Sequence, residues 1–504
     1  MTIRVLSIAS EAVPLIKTGG LADVVGALPA AVADHGIAMT TMLPGYPAVL
    51  AALGPAALTA RGRSKTVHTW PALLGEPARL LSGTIGGYPL LVLDAPTLFR
   101  RDGGPYGDGT GRDWADNGLR FAAFARAAAD VASGAVRGLT FDIAHAHDWQ
   151  AALVPAFLKY APVGDAPLSL LNSPPPLLNS PPSVMTIHNM AFQGHFPATL
   201  FARLGLPDEA WAIDGVEYHN GVGFLKAGLA TAWAITTVSP TYAREIRHPD
   251  FGMGLDGLIR ARHGQMYGIV NGIDTREWNP AADPALRSTF TARTLGRRAA
   301  NKAALEAEFD LQPGDGPLFV VISRLTWQKG MDVLLQTIDH LVGVGARLAI
   351  LGSGDSALEA GFVAAGIRHP GRIGVRIGYD ETLSHRLQAG GDAILVPSRF
   401  EPCGLTQLYA LAYGCVPVVS RTGGLADTVI DANLAAQVAG SATGIQFNAV
   451  TCDALADAID RTIALYRDRG SWHQIQRAGM KSDFSWGRSG KAYADLYAQL
   501  VESR

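Results

Sequence analysis

Only three of the 504 residues are cysteines, Cys403, Cys415 and Cys452, and no CxxC pair occurs. That excludes a disulfide framework and a cysteine-built metal site, and such sparing use fits a reducing compartment. Charge is also scarce. Lys and Arg number 42 against 44 Asp and Glu, together 17% of the chain, and no block of one sign occurs. Such a balance offers no surface to a polyanion, so neither nucleic acid nor a membrane is expected as a partner. No stretch reaches the roughly 20 apolar residues that span a bilayer. The apolar run within the first ten residues is too short for a signal peptide. The expectation is a cytoplasmic protein.

Hydrophobic residues, by contrast, make up 48% of the chain, as in a well-buried globular enzyme. A single core rarely grows past roughly 250–300 residues, so two large domains are expected. Short runs rich in Val and Ile recur at 4–10, 38–44, 90–95, 142–147, 184–188 and 234–239. A second series follows at 318–323, 347–352, 373–378, 393–397 and 416–420. These runs read as parallel strands buried on both faces, and helix-like stretches such as 117–133, 150–160 and 332–341 lie between them. Alternating strand and helix is the doubly wound α/β pattern, met twice. The boundary falls in 266–279.

Two repeats stand out. The string TGGLAD occurs at 18–23 and again at 422–427, each copy opening a helical pattern. LLNSPPP at 170–176 is followed by LLNSPPS at 177–183. Its prolines supply no donor, so an exposed loop is expected there rather than sheet.

Four loops carry candidate chemistry. In 17–23 (KTGGLAD), two glycines let the backbone turn tightly towards a ligand, a helix start offers free N–H groups to an anion, and Lys17 adds a mobile charge. In 323–330 (SRLTWQKG), Arg324 and Lys329 leave the C-terminal end of a strand, where doubly wound folds bind ligands. A guanidinium and an ammonium together neutralise a diphosphate as a metal would. In 400–407 (FEPCGLTQ), Glu401 is placed to accept from sugar hydroxyls, Pro402 suits the first turn of a helix, and Gly404 permits close approach. In 145–150 (HAHDWQ), His145 and His147 share one strand face, but no third clustered ligand is evident, so no metal is expected. Asp148 reads as an acceptor for a hydroxyl or as a helix N-cap. His188 and Asn189 end the next strand.

Together these strings resemble the bacterial glycogen synthase and plant starch synthase family of retaining glycosyltransferases. The matching segments are 17–23, 145–150, 186–194 (TIHNMAFQG), 271–274 (NGID), 324–330, 401–408 and 422–427, in family order over nearly the whole chain. The resemblance implies a GT-B fold, with two Rossmann-like doubly wound domains facing across a deep cleft. Residues 1–267, completed by a helix within 485–504, would receive the glucan, and residues 268–484 would hold the nucleotide. The implied reaction transfers glucose from ADP-glucose to the non-reducing end of an α-1,4-glucan such as glycogen, with no cofactor.

Residue by residue, the resemblance gives Arg324 and Lys329 the diphosphate, with Lys17 and Gly20 approaching it from the other domain. Glu401, Cys403, Gly404 and Leu405 would line the donor glucose. Asp148, His188 and Asn271 would contact the sugar, with Tyr106 and Asp23 in the same pocket and Asn189 beside His188. Thr422 and Gly423 would bring another helix start to the phosphates. The chain departs from many GT-B enzymes at Tyr409, where those carry a second glutamate. No nucleophilic carboxylate is evident, which favours front-side displacement assisted by the leaving phosphate. A dinucleotide oxidoreductase is excluded by the lack of GxGxxG after the first strand. A non-catalytic glucan binder is opposed by the joint presence of Lys17, Arg324, Lys329 and Glu401.

Overall fold

The computed structural model describes residues 2–54, 65–161 and 180–504. The LLNSPP repeat lies outside the described residues up to position 179. The chain divides into two compact units. One comprises Met1–Val238, Ala243–Ile269 and Trp486–Arg504; the other comprises Ser239–Tyr242 and Val270–Ser485.

The first unit is built on a nine-stranded sheet. Its strands are β1 (Ile3–Ile8), β2 (Ile37–Pro44), β3 (Lys65–Leu73), β4 (Glu76–Ile85), β5 (Tyr88–Asp94), β6 (Ile143–His147) and β7 (Ser183–Ile187). A short antiparallel sheet follows from β8 (His195–Pro197), β9 (Glu217–Tyr218) and β10 (Gly221–Gly223), before β11 (Ala234–Thr237) and β12 (Met266–Gly268) complete the large one. The large sheet runs β12-β11-β7-β6-β1-β2-β5-β4-β3. From β12 to β5 every pair is parallel. These strands are apolar on both faces because helices cover both, as the Val- and Ile-rich runs predict.

The antiparallel edge formed by β3 and β4 is a correction to the all-parallel expectation. KTVHTWPAL and EPARLLSGTI carry prolines and polar residues, and β3 is largely exposed, so neither reads as a buried run. The helical stretch at 150–160 is also two pieces, Asp148–Ala151 and Leu153–Tyr160.

The last helix, Trp486–Glu502, belongs to this first unit and packs on the helix Gly20–Ala33. Contact is close enough that a Cβ on Gly490 would sit 2.1 Å from the Ala31 carbonyl oxygen. Tyr497, fully buried on that helix, meets His145 Nδ1 at 2.7 Å.

The second unit holds a six-stranded, wholly parallel sheet. Its strands are β13 (Leu318–Ile322), β14 (Arg347–Gly352), β15 (Ile373–Ile377), β16 (Ala393–Val396), β17 (Val416–Ser420) and β18 (Ile445–Phe447). The order is β15-β14-β13-β16-β17-β18, which is the Rossmann order 3-2-1-4-5-6. Its core joins Phe319, Val321, Leu348 and Ile350 to the helices Met331–Gly343 and Cys452–Arg467.

Candidate active site

In each unit the winding direction reverses once. The chain passes from β1 outward to β2 and β5, then returns to the other side of β1 with β6. In the second unit the same reversal separates β13 from β16. At such a switch point the two adjacent loops diverge and leave a crevice at the carboxyl ends of the strands. The four candidate loops follow β1, β6, β13 and β16. Topology therefore gathers the motifs into two half-sites, one in each unit.

In the first half-site the loop after β1 is fixed by Glu11, which is only 2% exposed. Its carboxylate accepts from the Thr18 N–H, from Thr18 Oγ1 at 2.6 Å and from the Tyr106 hydroxyl. Tyr106 also meets Ser10 Oγ at 2.8 Å. Burial and the neighbouring Glu11 push its phenol well above the usual range, so it stays neutral. Lys17 is not a free charge here. It pairs with Asp23 at 2.8 Å, six residues on, both side chains being partly exposed. Gly20 opens the helix Gly20–Ala33.

Asp148 follows β6 with a left-handed backbone, φ +53°, and is 7% exposed. It is the first residue of its short helix, whose N-cap is His147, so the N-cap alternative for Asp148 does not hold. Its carboxylate instead accepts from the His188 backbone N–H at 2.7 Å, tying the end of β6 to the end of β7. Burial raises its pKa to about 7, opposed in part by the backbone N–H groups of His188 and Asn189. Asn189 turns its own carboxamide oxygen to the Ala191 N–H at 3.0 Å.

Three histidines run beneath this point. His147 lies between Ser7 Oγ at 3.2 Å and His188 Nε2 at 3.1 Å. His145 lies between Tyr497 and Thr186 Oγ1, the latter at 2.6 Å. Burial lowers His145 and His188 to about 3, and His147 well below its ordinary value, so all three are neutral at pH 7.

In the second half-site Lys329 Nζ and Glu401 Oε2 lie 2.5 Å apart, joining the loop after β13 to the loop after β16. Ser398 Oγ donates to the same carboxylate oxygen at 2.9 Å. Among the described residues Arg324 donates only to Gln328, at 3.2 Å. Gln328 in turn donates to the Phe400 carbonyl at 3.3 Å. The Asn271 N–H points at the buried Cys403 thiol, which burial raises to about 12 and so keeps protonated. Among the described residues Asn271 Oδ1 is buried without a hydrogen-bond partner, an acceptor left open.

The helix after Glu401 begins at Thr406, with Leu405 as its N-cap. Pro402 is therefore part of the preceding turn, correcting its expected place in the first helical turn. Gly404 takes φ +72° in that turn, which Gln407 braces by donating to the carbonyls of Cys403 and Gly404 at 3.0 and 2.9 Å. Thr422 caps the short helix that starts at Gly423. Gly423 has φ +43°, and a Cβ there would lie 1.9 Å from the Glu401 carbonyl oxygen. The neighbouring Gly424 N–H donates to that same carbonyl at 3.0 Å. This second TGG is thus fitted to the backbone of the EPCG turn.

Sequence reading missed Glu11, Ser398, Gln328 and Gln407. Glu11 and Ser398 each stand within a few residues of a strand's carboxyl end at a switch point, and that position was the only available signal. Among the described residues no helix is long and apolar enough to cross a membrane.

Comparison with known proteins agrees with this geometry. Residues 4–261 match the model of the starch synthase catalytic domain, and 305–478 match that of glycosyl transferases group 1. A glycogen synthase of Novosphingobium aromaticivorans is 68% identical over 501 residues, covering 99% of each chain. One from Mesorhizobium japonicum is 56% identical with the same coverage. Among solved structures, the catalytic domain of starch synthase IV from Arabidopsis thaliana, bound to ADP and acarbose, matches with a TM-score of 0.84. It is 30% identical, with both chains fully covered. Two doubly wound units with these loops at their switch points define a glycosyltransferase of GT-B fold. The chain belongs to the glycogen synthase and starch synthase family, and it is a glucosyltransferase of that type.

Proposed function

We propose that the chain transfers glucose from ADP-glucose to the non-reducing end of an α-1,4-glucan, glycogen in the first place, with retention of configuration. The observation that carries this is the Lys329–Glu401 pair at the β13–β16 switch point. It sets a cation for the diphosphate beside a carboxylate for sugar hydroxyls. Arg324, which donates to Gln328, can turn to the phosphates and grip them bidentately. Asn271 Oδ1 accepts from a donor-sugar hydroxyl, and Cys403, Gly404 and Leu405 line the glucose. Thr422 and Gly423 face the phosphates. That starch synthase IV is bound to ADP and acarbose supports ADP as the nucleotide here.

Residues 268–484 would carry the nucleotide, and 1–267 with the last helix would carry the glucan. Lys17 and Gly20 serve the phosphates, while Asp23, Tyr106, Asp148, His188 and Asn189 serve the sugar. In the reaction the bond from C1 to the phosphate oxygen breaks, and its electron pair stays on the diphosphate. A bond forms from C1 to the acceptor oxygen, whose proton passes to the leaving phosphate on the same face. Arg324 and Lys329 stabilise the growing negative charge, and preorganised donors of this kind are usually the largest catalytic term. The Glu401 and Asp148 carboxylates are both engaged rather than presented as nucleophiles. Ser398 and Lys329 engage Glu401, and backbone N–H groups engage Asp148. No metal and no cofactor are needed for these steps. The cytoplasm is the proposed compartment, consistent with three free cysteines.

The test is to follow diphosphate release and glucan extension with glycogen and either ADP-glucose or UDP-glucose, without added metal. Faster glucan-dependent release of ADP is expected. No turnover with either donor, in folded protein, would point to another acceptor or a glucan binder without activity.

A further inference from the structure

Three side chains of the first unit form a hydrogen-bonded relay that the roles above leave without a purpose. Ser7 lies on β1, His147 ends β6, and His188 follows β7. The three strands are neighbours in the sheet, with β6 in the middle, and parallel pairing holds them in register. Ser7 Oγ stands 3.2 Å from His147 Nε2, and His147 Nδ1 stands 3.1 Å from His188 Nε2. The two imidazole centroids are 5.4 Å apart, so the rings meet edge to edge rather than stacked.

Each contact holds one proton, and a count of donors and acceptors decides where it sits. Ser7 and His147 are wholly buried. Among the described residues the Ser7 hydroxyl has no other partner, so its proton goes to His147 Nε2 or stays unpaired. A buried donor without an acceptor is costly, and a hydroxyl lone pair left over costs less. With Nε2 accepting, the neutral His147 carries its own proton on Nδ1 and donates it to His188 Nε2. A neutral imidazole that accepts at Nε2 has its proton on Nδ1. The reverse order would strand the Ser7 proton.

His188 Nδ1 is the open end of the relay. It has no partner among the described residues, yet it is not one of their buried unpartnered atoms, and His188 is partly exposed. A ligand can therefore reach it.

We infer that Ser7 and His147 are positioning residues that fix His188 as its Nδ1–H tautomer, so that it presents a hydrogen-bond donor to a sugar oxygen. The inference rests on the proposed contact between His188 and the sugar, and says which way that hydrogen bond runs. In this form the one lone pair of the His188 ring is taken up by His147. His188 is then no base for the acceptor hydroxyl, whose proton is left to the leaving phosphate.

Long-range ¹H–¹⁵N NMR of the protein reads the tautomers directly, with the two histidines assigned by the signals lost in His147→Asn and His188→Asn. The expected spectrum shows a protonated Nδ1 and a bare Nε2 in both. A proton on Nε2 of either residue overturns the inference, and so does an average of the two forms. Steady-state kinetics with glycogen and ADP-glucose give the second reading. His147→Asn keeps an amide N–H near the place of Nδ1 and should retain most of kcat. His147→Leu should lower kcat about ten- to hundredfold, the usual loss on removing the partner that orients a functional imidazole. Equal kcat in the two folded variants overturns the positioning role. Should His147→Leu not fold, the spectrum of the unsubstituted protein decides. If that protein transfers no glucose, the glucan reading fails, while the spectrum still settles the tautomer. If it transfers and the His188 proton sits on Nε2, the inference alone is wrong.

Discussion

Lys329 and Glu401, 72 positions apart in sequence, meet at 2.5 Å where β13 and β16 diverge. The contact ties two loops that each follow a parallel strand, so the sheet itself holds the cation and the carboxylate in register. Ser398 completes the shell of Glu401. In the proposed reaction a diphosphate arriving at Lys329 would find the ammonium already oriented, which would lower the reorganisation cost.

Lys329→Ala is therefore expected to lower kcat by about 10²–10³-fold, the usual loss on removing one preorganised transition-state donor. It also leaves Glu401, which is 6% exposed, with Ser398 as its remaining side-chain partner among the described residues. Stability should fall by roughly 1–3 kcal/mol, the penalty for an under-satisfied buried group. Steady-state kinetics and urea unfolding read the two effects separately.

The two TGGLAD copies look alike in sequence but answer to different physics. At Gly423 a side chain would meet the Glu401 carbonyl at 1.9 Å on a backbone with φ +43°. At Gly19 φ is −161°, and nothing lies within 4 Å of where a Cβ would be. Gly423→Ala should cost several kcal/mol, roughly the sum of strained backbone and displaced loop. Gly19→Ala should stay within about 0.5 kcal/mol. Thermal melts of both variants check the contrast, and equal losses would contradict it.

Asp148 and the three histidines should leave opposite marks on stability against pH. The folded Asp148 holds its proton up to about 7, above the ordinary 3.8, so the folded state binds more protons than the unfolded one across that window. Its contribution to stability therefore falls as pH rises from 4 to 7. The histidines are lowered, so the unfolded state binds more protons below pH 6.5. Their contribution is present above 6.5 and is lost as pH falls towards 3. Asp148→Asn should consequently raise the melting temperature more at pH 7.5 than at pH 4.5. A difference independent of pH would show that the carboxylate ionises normally.

Tyr497 on the last helix supports this same region from below. Tyr497→Phe leaves His145 Nδ1 buried without its 2.7 Å partner, at a cost of about 1–3 kcal/mol. Because His145 packs against His147, with ring centroids 4.0 Å apart and the rings tilted by 33°, the variant should also slow transfer slightly. A melt and a kcat measurement check both.

Much of this was legible in sequence, for identifiable reasons. Strands buried on both faces are written as short Val- and Ile-rich runs, and all eleven runs correspond to strands within a residue or two. Ligand loops follow such runs, so KTGG, HAHD, RLTWQKG and EPCG could be placed before any coordinates. The edge strands β3 and β4 were not legible, because a half-exposed edge needs no apolar run. Pro402 misled about the helix start, since proline suits a turn as well as a first helical residue. Glu11 was invisible for another reason. Its three donors come from Thr18 and Tyr106, and the Tyr106 partnership, 95 positions away, exists only once β1 lies against the sheet.

The most direct measurement is a ¹H NMR time course of ADP-glucose with maltoheptaose and the purified protein. The expected result is loss of the donor's α-anomeric signal in step with new α-1,4 linkages and free ADP, with no added metal. Growth of β-anomeric signals, or donor loss that does not depend on the acceptor, would contradict retaining transfer to glucan.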